Sequence, residues 1–233
     1  MPYSRWARYY DALHVFKDYA AETARLVALI DRLRPGARTL LDVACGTGRH
    51  LERLRERFDV EGLDVNPDLL AVARERCPDL RLHCASMDDF DLGRRFDVVT
   101  CLFTSIAFLR TRERMIAAVA TMARHLAPGG LLLIEPWYSP DRCWSGTING
   151  HYLDRPDLKI AWMYTARIDG DCSVMDNRFL VGTPDGFETF DEQHVFAMFT
   201  PADFDAAFAA AGLARVPHDD PAWFRGLYVA TAA

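Results

Sequence analysis

The stretch Leu41-Asp42-Val43-Ala44-Cys45-Gly46-Thr47-Gly48 joins a short apolar run to a turn that contains two glycines. The run that begins at Thr39 reads as a buried strand, and Leu51, Leu54 and Phe58 have helical spacing beyond the turn. Glycines between a strand and a helix let a ligand approach the backbone closely. The stretch therefore predicts a strand, a ligand-binding turn and a helix.

The segments around this stretch repeat the alternation of strand and helix. A helical stripe covers residues 22–33 before it, and a helix from Asn66-Pro67 to Arg76 follows it. A further helix is predicted to end at Pro128-Gly129-Gly130. The predicted strands are 39–43, 60–65, 80–84, 96–102 and 131–135. Parallel neighbours need crossover connections, so this order predicts a parallel sheet covered on both faces.

The pattern changes after Glu135. Residues 160–199 give strand-like segments separated by turn signals, which predicts an antiparallel meander. A helix from Pro201 to Gly212 and a last strand over 226–231 follow. We predict the α/β class, with one domain over residues 1–233, a mostly parallel sheet of seven strands, helices on both faces and an antiparallel insertion after strand 5.

Composition excludes several classes of protein. The 233 residues are 50% hydrophobic and 26% charged, as in a globular domain, and no apolar run is long enough to span a bilayer. The net charge of −6 argues against a nucleic-acid partner, because phosphates require clustered cations. The six cysteines form no C-x-x-C pair that would indicate zinc. We expect a cytoplasmic protein with no membrane partner and no metal.

Two carboxylates indicate the ligand. Asp64 ends the second strand, 22 residues after Asp42, where it can accept hydrogen bonds from ribose hydroxyls. Asp42 would repel the pyrophosphate of a nicotinamide cofactor, and Leu51 stands where such a site has its third glycine. S-adenosylmethionine carries a sulfonium and an ammonium that suit Asp42. A nicotinamide-dependent oxidoreductase is the rival interpretation.

At this point the sequence resembles the class I S-adenosylmethionine-dependent methyltransferases. The resemblance extends to the N,N-dimethyltransferases of dTDP-linked 3-amino-3,6-dideoxysugars in macrolide biosynthesis. It rests on the stretches YYDALH, KDYAAE, LLDVACGTGRHL, VEGLDV, SMDDFDLGRRF, VTCLFTSI, LIEPWYSP, HVFAMFT, AAFAAAGL and RGLYV. It implies a Rossmann-like fold with N-terminal lid helices (1–36), a cofactor-binding core (37–136), a substrate-side insertion (137–199) and a last helix and strand (200–233).

The resemblance also implies a set of cofactor contacts. The methionine part would meet the turn, the ribose and adenine would meet the ends of the second and third strands, and the sulfonium would lie near the end of the fourth. The implied cofactor-binding residues are Tyr19, Asp42, Ala44, Cys45, Gly46, Gly48, Asp64, Val65, Ser86, Met87, Leu102 and Phe103. Aromatic packing is the alternative role for Tyr19.

The sequence departs from the sugar enzymes at two of the positions that matter for the site. Phe108 stands where those enzymes carry a His or Tyr close to the amine, and Ser86 replaces a usual Asp. The resemblance places Phe108, Trp137 and Arg225 at the acceptor, with Arg225 either meeting nucleotide phosphates or forming a surface ion pair. Tyr10 would lie near the methyl group, or pack as a helix aromatic.

Proton removal from an amine acceptor requires only a nearby base. His194 and His14 are the candidates for that role, and a structural role is the alternative for each.

The resulting hypothesis is an N-methyltransferase that uses S-adenosylmethionine, releases S-adenosylhomocysteine and acts on a nucleotide-linked amino sugar such as a dTDP-amino sugar. One alternative is methylation of another small amine, an amino acid or a natural-product hydroxyl. Another is a non-catalytic cofactor-binding partner. Edge strands of the meander would allow a homodimer.

Overall fold

The computed structural model describes residues 7–233. Its strands are β1 (Thr39–Val43), β2 (Asp59–Asp64), β3 (Arg81–Cys84), β4 (Phe96–Cys101), β5 (Leu126–Ile134), β6 (Thr147–Asp154), β7 (Lys159–Asp169), β8 (Cys172–Thr183), β9 (Gly186–Ala197), β10 (Leu213–Val216) and β11 (Tyr228–Ala232). Its α-helices are α1 (Tyr10–Leu13), α2 (Tyr19–Leu33), α3 (Leu51–Leu54), α4 (Pro67–Arg76), α5 (Arg112–Arg124) and α6 (Pro201–Ala210). Short 3-10 helices cover Ala7–Tyr9 and Ser105–Leu109.

Seven strands form the main sheet in the order β10-β11-β5-β4-β1-β2-β3. The strands from β5 to β3 in that order are parallel, and β11 runs antiparallel to both of its neighbours. The prediction of a mostly parallel seven-stranded α/β sheet is confirmed. From β1 the chain continues to β2 and β3 on one side of the sheet, and from β4 it continues to β5 on the other side. A crevice therefore opens between the carboxyl ends of β1 and β4, which are neighbours in the sheet.

Two apolar cores lie on the two faces of this sheet. Leu41 and Val43 of β1 pack with α5 and α6, whereas Leu40 packs with α2 and α3. This division follows from the two-residue repeat of a strand, which sends successive side chains to opposite faces. Burial on both faces holds the carboxyl end of β1 in a fixed position.

The predicted helix starts at Asn66-Pro67 and at Pro201 are confirmed. The Asn66 side chain accepts hydrogen bonds from the first backbone N–H groups of α4, which ends at Arg76 as expected. Thr200 and Asp203 form a reciprocal capping box at the start of α6. Local capping chemistry therefore specifies both helix starts.

The structure differs from the prediction between α5 and β5. The helix ends at Arg124 rather than at residues 128–130, and β5 begins at Leu126. Pairing with β4 then shifts from Phe96–Leu126 to Val98–Leu131, so the extra residues are absorbed in an irregularity of the ladder. The Pro-Gly-Gly signal therefore belongs to this irregularity of β5 and not to a helix end.

The segment after β5 forms a second sheet, with the order β6-β7-β8-β9 and antiparallel pairing throughout. Three of its strands correspond to the predicted meander. Strand β6 was not predicted, because it is an edge strand with mostly exposed side chains and no buried alternation. The short strand β10 was also missed. Residues 1–6 of the expected lid lie outside the described residues.

No helix in residues 7–233 is long and apolar enough to cross a bilayer.

Candidate active site

Asp42 lies on β1 at the crevice between β1 and β4. Its side chain is buried, and Oδ1 accepts a 2.7 Å hydrogen bond from Thr100 Oγ1 on the adjacent position of β4. The other oxygen, Oδ2, is buried and has no hydrogen-bond donor within residues 7–233. Burial raises the pKa of Asp42 to about 6, although His50 and the Thr100 hydroxyl favour the carboxylate. A buried acceptor of this kind is suited to an ammonium donor.

The turn after β1 is built on left-handed residues. Ala44, Gly46 and Gly48 have φ values of +60°, +56° and +77°. A Cβ at Gly48 would lie 3.2 Å from Cβ of Ala73, so this glycine also allows close packing on α4. The Cys45 side chain is buried and would lie 2.9 Å from a Cβ at Gly62, so it packs against β2.

Asp64 closes this turn from the end of β2. Its Oδ2 accepts a 2.8 Å bond from Gly46 N, and its Oδ1 accepts one of 2.8 Å from Asn66 N. Burial raises the pKa of Asp64 against the effect of these backbone donors. Each carboxylate oxygen keeps a lone pair that can accept a further hydrogen bond. The side chain could therefore accept hydrogen bonds from ribose hydroxyls.

The N-terminal segment lies over the turn. Asp11 on α1 accepts a 2.7 Å hydrogen bond from Thr47 Oγ1 and forms an ion pair with Arg76 of α4. These contacts attach α1, which begins at Tyr10, to the glycine turn. Asp11 has no role in the sequence prediction, because its partners are distant along the chain.

Glu22, a residue of α2, contacts two basic side chains. Glu22 Oε1 is 2.7 Å from His50 Nε2, and Glu22 is also paired with the buried Lys17. Burial opposes ionisation of Glu22, but His50 and Lys17 lower its pKa to about 2. The carboxylate is therefore ionised and matched by its neighbours.

Arg49 is a residue that the sequence prediction missed. Its guanidinium lies 5.3 Å from the ring centre of Tyr19, and its Nε is buried without an acceptor in residues 7–233. An unpaired donor here and an unpaired acceptor on Asp42 suit a ligand that carries both charges. The position directly after the G-T-G turn was the signal available in the sequence.

The residues predicted to meet the acceptor lie in an aromatic cluster. Phe108 on the 3-10 helix Ser105–Leu109 lies 4.7 Å from Phe196 and 6.0 Å from His194, measured between ring centres. The Trp137 ring stacks on Phe196 at 4.3 Å. His194 is buried, with Nε2 3.3 Å from Oε2 of Glu192. The structure thus brings Phe108, Trp137 and His194 into one cluster.

Tyr10 and His14 approach this cluster from the N-terminal segment. Their ring centres are 4.2 Å apart, and His14 Nδ1 is 2.8 Å from the Tyr10 carbonyl oxygen. Since a carbonyl only accepts, Nδ1 carries the hydrogen. Burial lowers the pKa of His14 to about 4, so the ring is neutral at neutral pH.

Arg225 forms a buried ion pair with Glu135, which follows β5. Its Nε and Nη2 donate to Glu135 Oε1 at 3.0 and 2.5 Å, and the two side chains are 10% and 4% exposed. The ion pair considered for Arg225 is present, but it is buried and not at the surface. The guanidinium lies 5.5 Å from the ring centre of Phe103, beside the predicted sulfonium end.

Comparison with known proteins extends these findings. The chain matches the family described as "Methyltransferase domain" over residues 40–130. It is 39% identical over 219 residues to the dTDP-3-amino-3,4,6-trideoxy-alpha-D-glucopyranose N,N-dimethyltransferase of Streptomyces venezuelae, covering 93% of this chain and 92% of that one. The chain belongs to this family of sugar N-methyltransferases.

Solved structures agree with the assignment. The S-adenosylmethionine-bound CalS10, an amino pentose methyltransferase from Micromonospora echinaspora involved in calicheamicin biosynthesis, is 44% identical, with a TM-score of 0.85 over 93% of this chain and 92% of that one. DesVI of Streptomyces venezuelae is 38% identical, with a TM-score of 0.91 over 97% and 98%. The predicted N-methyltransferase activity with S-adenosylmethionine is confirmed.

All the residues expected in this methyltransferase site stay predictions, and the structure places four of them as follows. Leu102 is buried in the core beside α2 and α3, and Met87 packs against the opposite core. Val65 is 45% exposed at the carboxyl end of β2, while the Ser86 hydroxyl donates to Asp88. Within residues 7–233, no group of three or more His, Cys, Asp or Glu side chains is arranged to hold a metal.

The raised pKa of Asp42 predicts a pH-dependent cofactor affinity. The carboxylate is mostly ionised at pH 7.5 and becomes protonated as the pH falls through about 6, while the cofactor ammonium keeps its charge. We expect the Kd of S-adenosylhomocysteine, measured by calorimetry, to rise by up to about tenfold per pH unit below pH 6.

Asp42→Asn is the matched control. It should bind weakly at pH 7.5, with a Kd that changes little down to pH 5. Because the ionised Asp42 is buried with an unpaired oxygen, the variant should be at least as stable as the parent at pH 7.5 in thermal unfolding. Equal pH dependence in the two proteins would contradict the assigned role of Asp42.

Proposed function

We propose that this enzyme transfers methyl groups to the amine of a dTDP-linked amino sugar and produces the N,N-dimethyl sugar. The observation that carries the proposal is the extent of the similarity. The identity of 39% with the dTDP-amino-sugar enzyme spans 93% of the chain, well beyond the matched cofactor domain at residues 40–130. Too little of the chain is left over to contain the sheet from β6 to β9. That sheet therefore belongs to the part shared with enzymes whose names specify nucleotide-linked amino sugars.

We assign the two charged groups of the cofactor's methionine part from the unpaired buried atoms. Asp42 Oδ2 receives the ammonium of the methionine part, and Arg49 with Tyr19 receives its carboxylate. Asp64 accepts the ribose hydroxyls, and Val65, Ser86 and Met87 border the adenine. Bound S-adenosylmethionine supplies an electrophilic methyl group on its sulfonium.

The chain's own contribution is to position the acceptor and to exclude water. Holding two reacting groups in the correct orientation lowers a barrier by about 7–11 kcal/mol. Phe108, Trp137 and Phe196 form an apolar wall at the acceptor, and Trp137 offers a flat face for the thymine. Arg225 uses Nε and Nη2 for Glu135, which leaves Nη1 for the nucleotide phosphates.

His194 is the base in this proposal. An amine attacks only when unprotonated, so a proton must leave the ammonium form of the acceptor. His194 lies against Phe108, the position at which the sugar enzymes carry a His or Tyr, and Glu192 is placed to stabilise its protonated ring. Neutral His14 and Tyr10 fix the orientation of the amine by hydrogen bonding.

The cytoplasmic location, the homodimer and the absence of nucleic-acid and metal partners stay predictions from the sequence.

The acceptor is tested with labelled S-adenosylmethionine and a panel of dTDP-3-amino and dTDP-4-amino sugars, free amino sugars, amino acids, simple amines and phenols. We expect transfer of two methyl groups to a dTDP-amino sugar and at least tenfold lower kcat/KM for the free sugar, which lacks the phosphates. Transfer to phenols or simple amines, with no transfer to any nucleotide-linked sugar, would contradict the proposal.

The role of His194 is tested with His194→Gln. We expect kcat/KM at pH 7 to fall by about 100-fold, at the lower end of general-base effects, and to recover as rising pH deprotonates the amine in solution. Cofactor affinity should be unchanged. His151→Gln, a change at an exposed histidine of β6, is the control and should keep parental rates. If His194→Gln has parental kcat/KM at pH 7 as well as at higher pH, His194 is not part of the mechanism.

A further inference from the structure

Glu135 satisfies donors from two distant parts of the chain. Its Oε2 accepts a 2.7 Å hydrogen bond from the backbone N of Phe103, and its Oε1 accepts both bonds from Arg225. The side chain is 4% exposed, and its own backbone N donates to the Cys101 carbonyl at 2.9 Å. Glu135 directly follows β5, and its buried carboxylate is thus bonded both to the segment after β4 and to the segment before β11.

The backbone that Glu135 contacts is strained. Phe103 and Thr104 have φ values of +50° and +64°, which side chains other than glycine rarely adopt. Thr104 makes no side-chain capping bond to the 3-10 helix that follows. Glu135 therefore supplies a side-chain bond that fixes this left-handed pair from outside the turn.

The Phe103 ring is the meeting point of the turn and the N-terminal segment. It lies 4.3 Å from Lys17 Nζ and 5.3 Å from the ring centre of His14. The 3-10 helix that begins after Thr104 carries Phe108. A change in the Phe103–Thr104 backbone would move both the contact with the N-terminal segment and the acceptor wall.

We propose that Glu135 is a positioning residue of the methyltransferase, acting through Phe103 on the cofactor and through Arg225 on the acceptor. Its bond to Phe103 N sets the turn at the reactive end of the cofactor. Its pairing with Nε and Nη2 of Arg225 directs Nη1 toward the acceptor. The second half rests on the proposed nucleotide-sugar acceptor, and the first half does not.

The first half is tested without any acceptor. A glutamine at position 135 has one carbonyl oxygen, so it can accept from Phe103 or from Arg225 but must present an amide donor to the other. We expect Glu135→Gln to raise the Kd of S-adenosylhomocysteine roughly tenfold, because only a fraction of the free variant then holds the Phe103–Thr104 turn in the binding-competent conformation. This readout stands even if the acceptor is not a nucleotide sugar.

Glu61→Gln is the matched control for losing a buried paired carboxylate. Glu61 is 3% exposed on β2 and is paired with His83, Arg81 and Arg94 away from the crevice. It should lower the thermal unfolding temperature and leave the Kd unchanged. A Glu135→Gln protein that is folded and binds S-adenosylhomocysteine within twofold of the parent would overturn the proposal.

A second substitution separates positioning from general stability. Glycine adopts positive φ at little cost, so Thr104→Gly should restore much of the lost affinity in the Glu135→Gln background. Failure of this rescue would overturn the assigned action on the turn.

Arg225→Met keeps the Phe103 bond and should raise the acceptor KM at least tenfold with cofactor Kd unchanged. An unchanged acceptor KM would overturn only the second half.

Discussion

The structure depends on one buried carboxylate, that of Asp42, in the crevice between β1 and β4. Asp42 is held by apolar packing on both faces of β1 and by Thr100 on the adjacent strand, and its second oxygen has no donor in the described chain. Such a group costs folding free energy unless a ligand completes it. The same burial that makes the group costly makes its interaction with a cationic ligand strong, because water does not screen it.

The surrounding elements serve this charge in different ways. Asp64 holds the turn through Gly46, while Asp11 attaches the N-terminal segment to the same turn through Thr47. Glu22 is paired with Lys17 and is hydrogen-bonded to His50, so it adds little uncompensated charge near Asp42. The cofactor half of the site is therefore built mainly from backbone geometry and from matched charges, which explains why a short motif identifies it.

How much could be predicted from the sequence follows from the range of the interactions. Two strand ends carry Asp42, Asp64 and the glycine turn, and these are local features of the sequence. The helix caps at Asn66 and Thr200 are equally local. The residue pattern alone was therefore sufficient to predict them. The β5 bulge depends on register with β4, and β6 is an edge strand that pairs only with β7. The bonds from Glu135 to Phe103 and Arg225 cross 32 and 90 residues, and nothing in the local sequence signals them.

The proposed acceptor side is less determined by sequence motifs than the cofactor side. The aromatic wall proposed for it combines Phe108 from the 3-10 helix after β4 with Phe196 and His194 from the second sheet, so substitution in either part alters it. Relatives of similar identity are named for amines at different sugar carbons. This composite construction gives a physical reason why one cofactor site can serve several amino sugars.

The most direct test of the central claim changes the ligand rather than the protein. Calorimetry at pH 7.5 would compare S-adenosylhomocysteine with its analogue that lacks only the α-amino group. If Asp42 Oδ2 receives the ammonium, the analogue should bind roughly 10- to 100-fold more weakly, as expected for one charge-assisted hydrogen bond. Equal affinities for the two ligands would contradict the account.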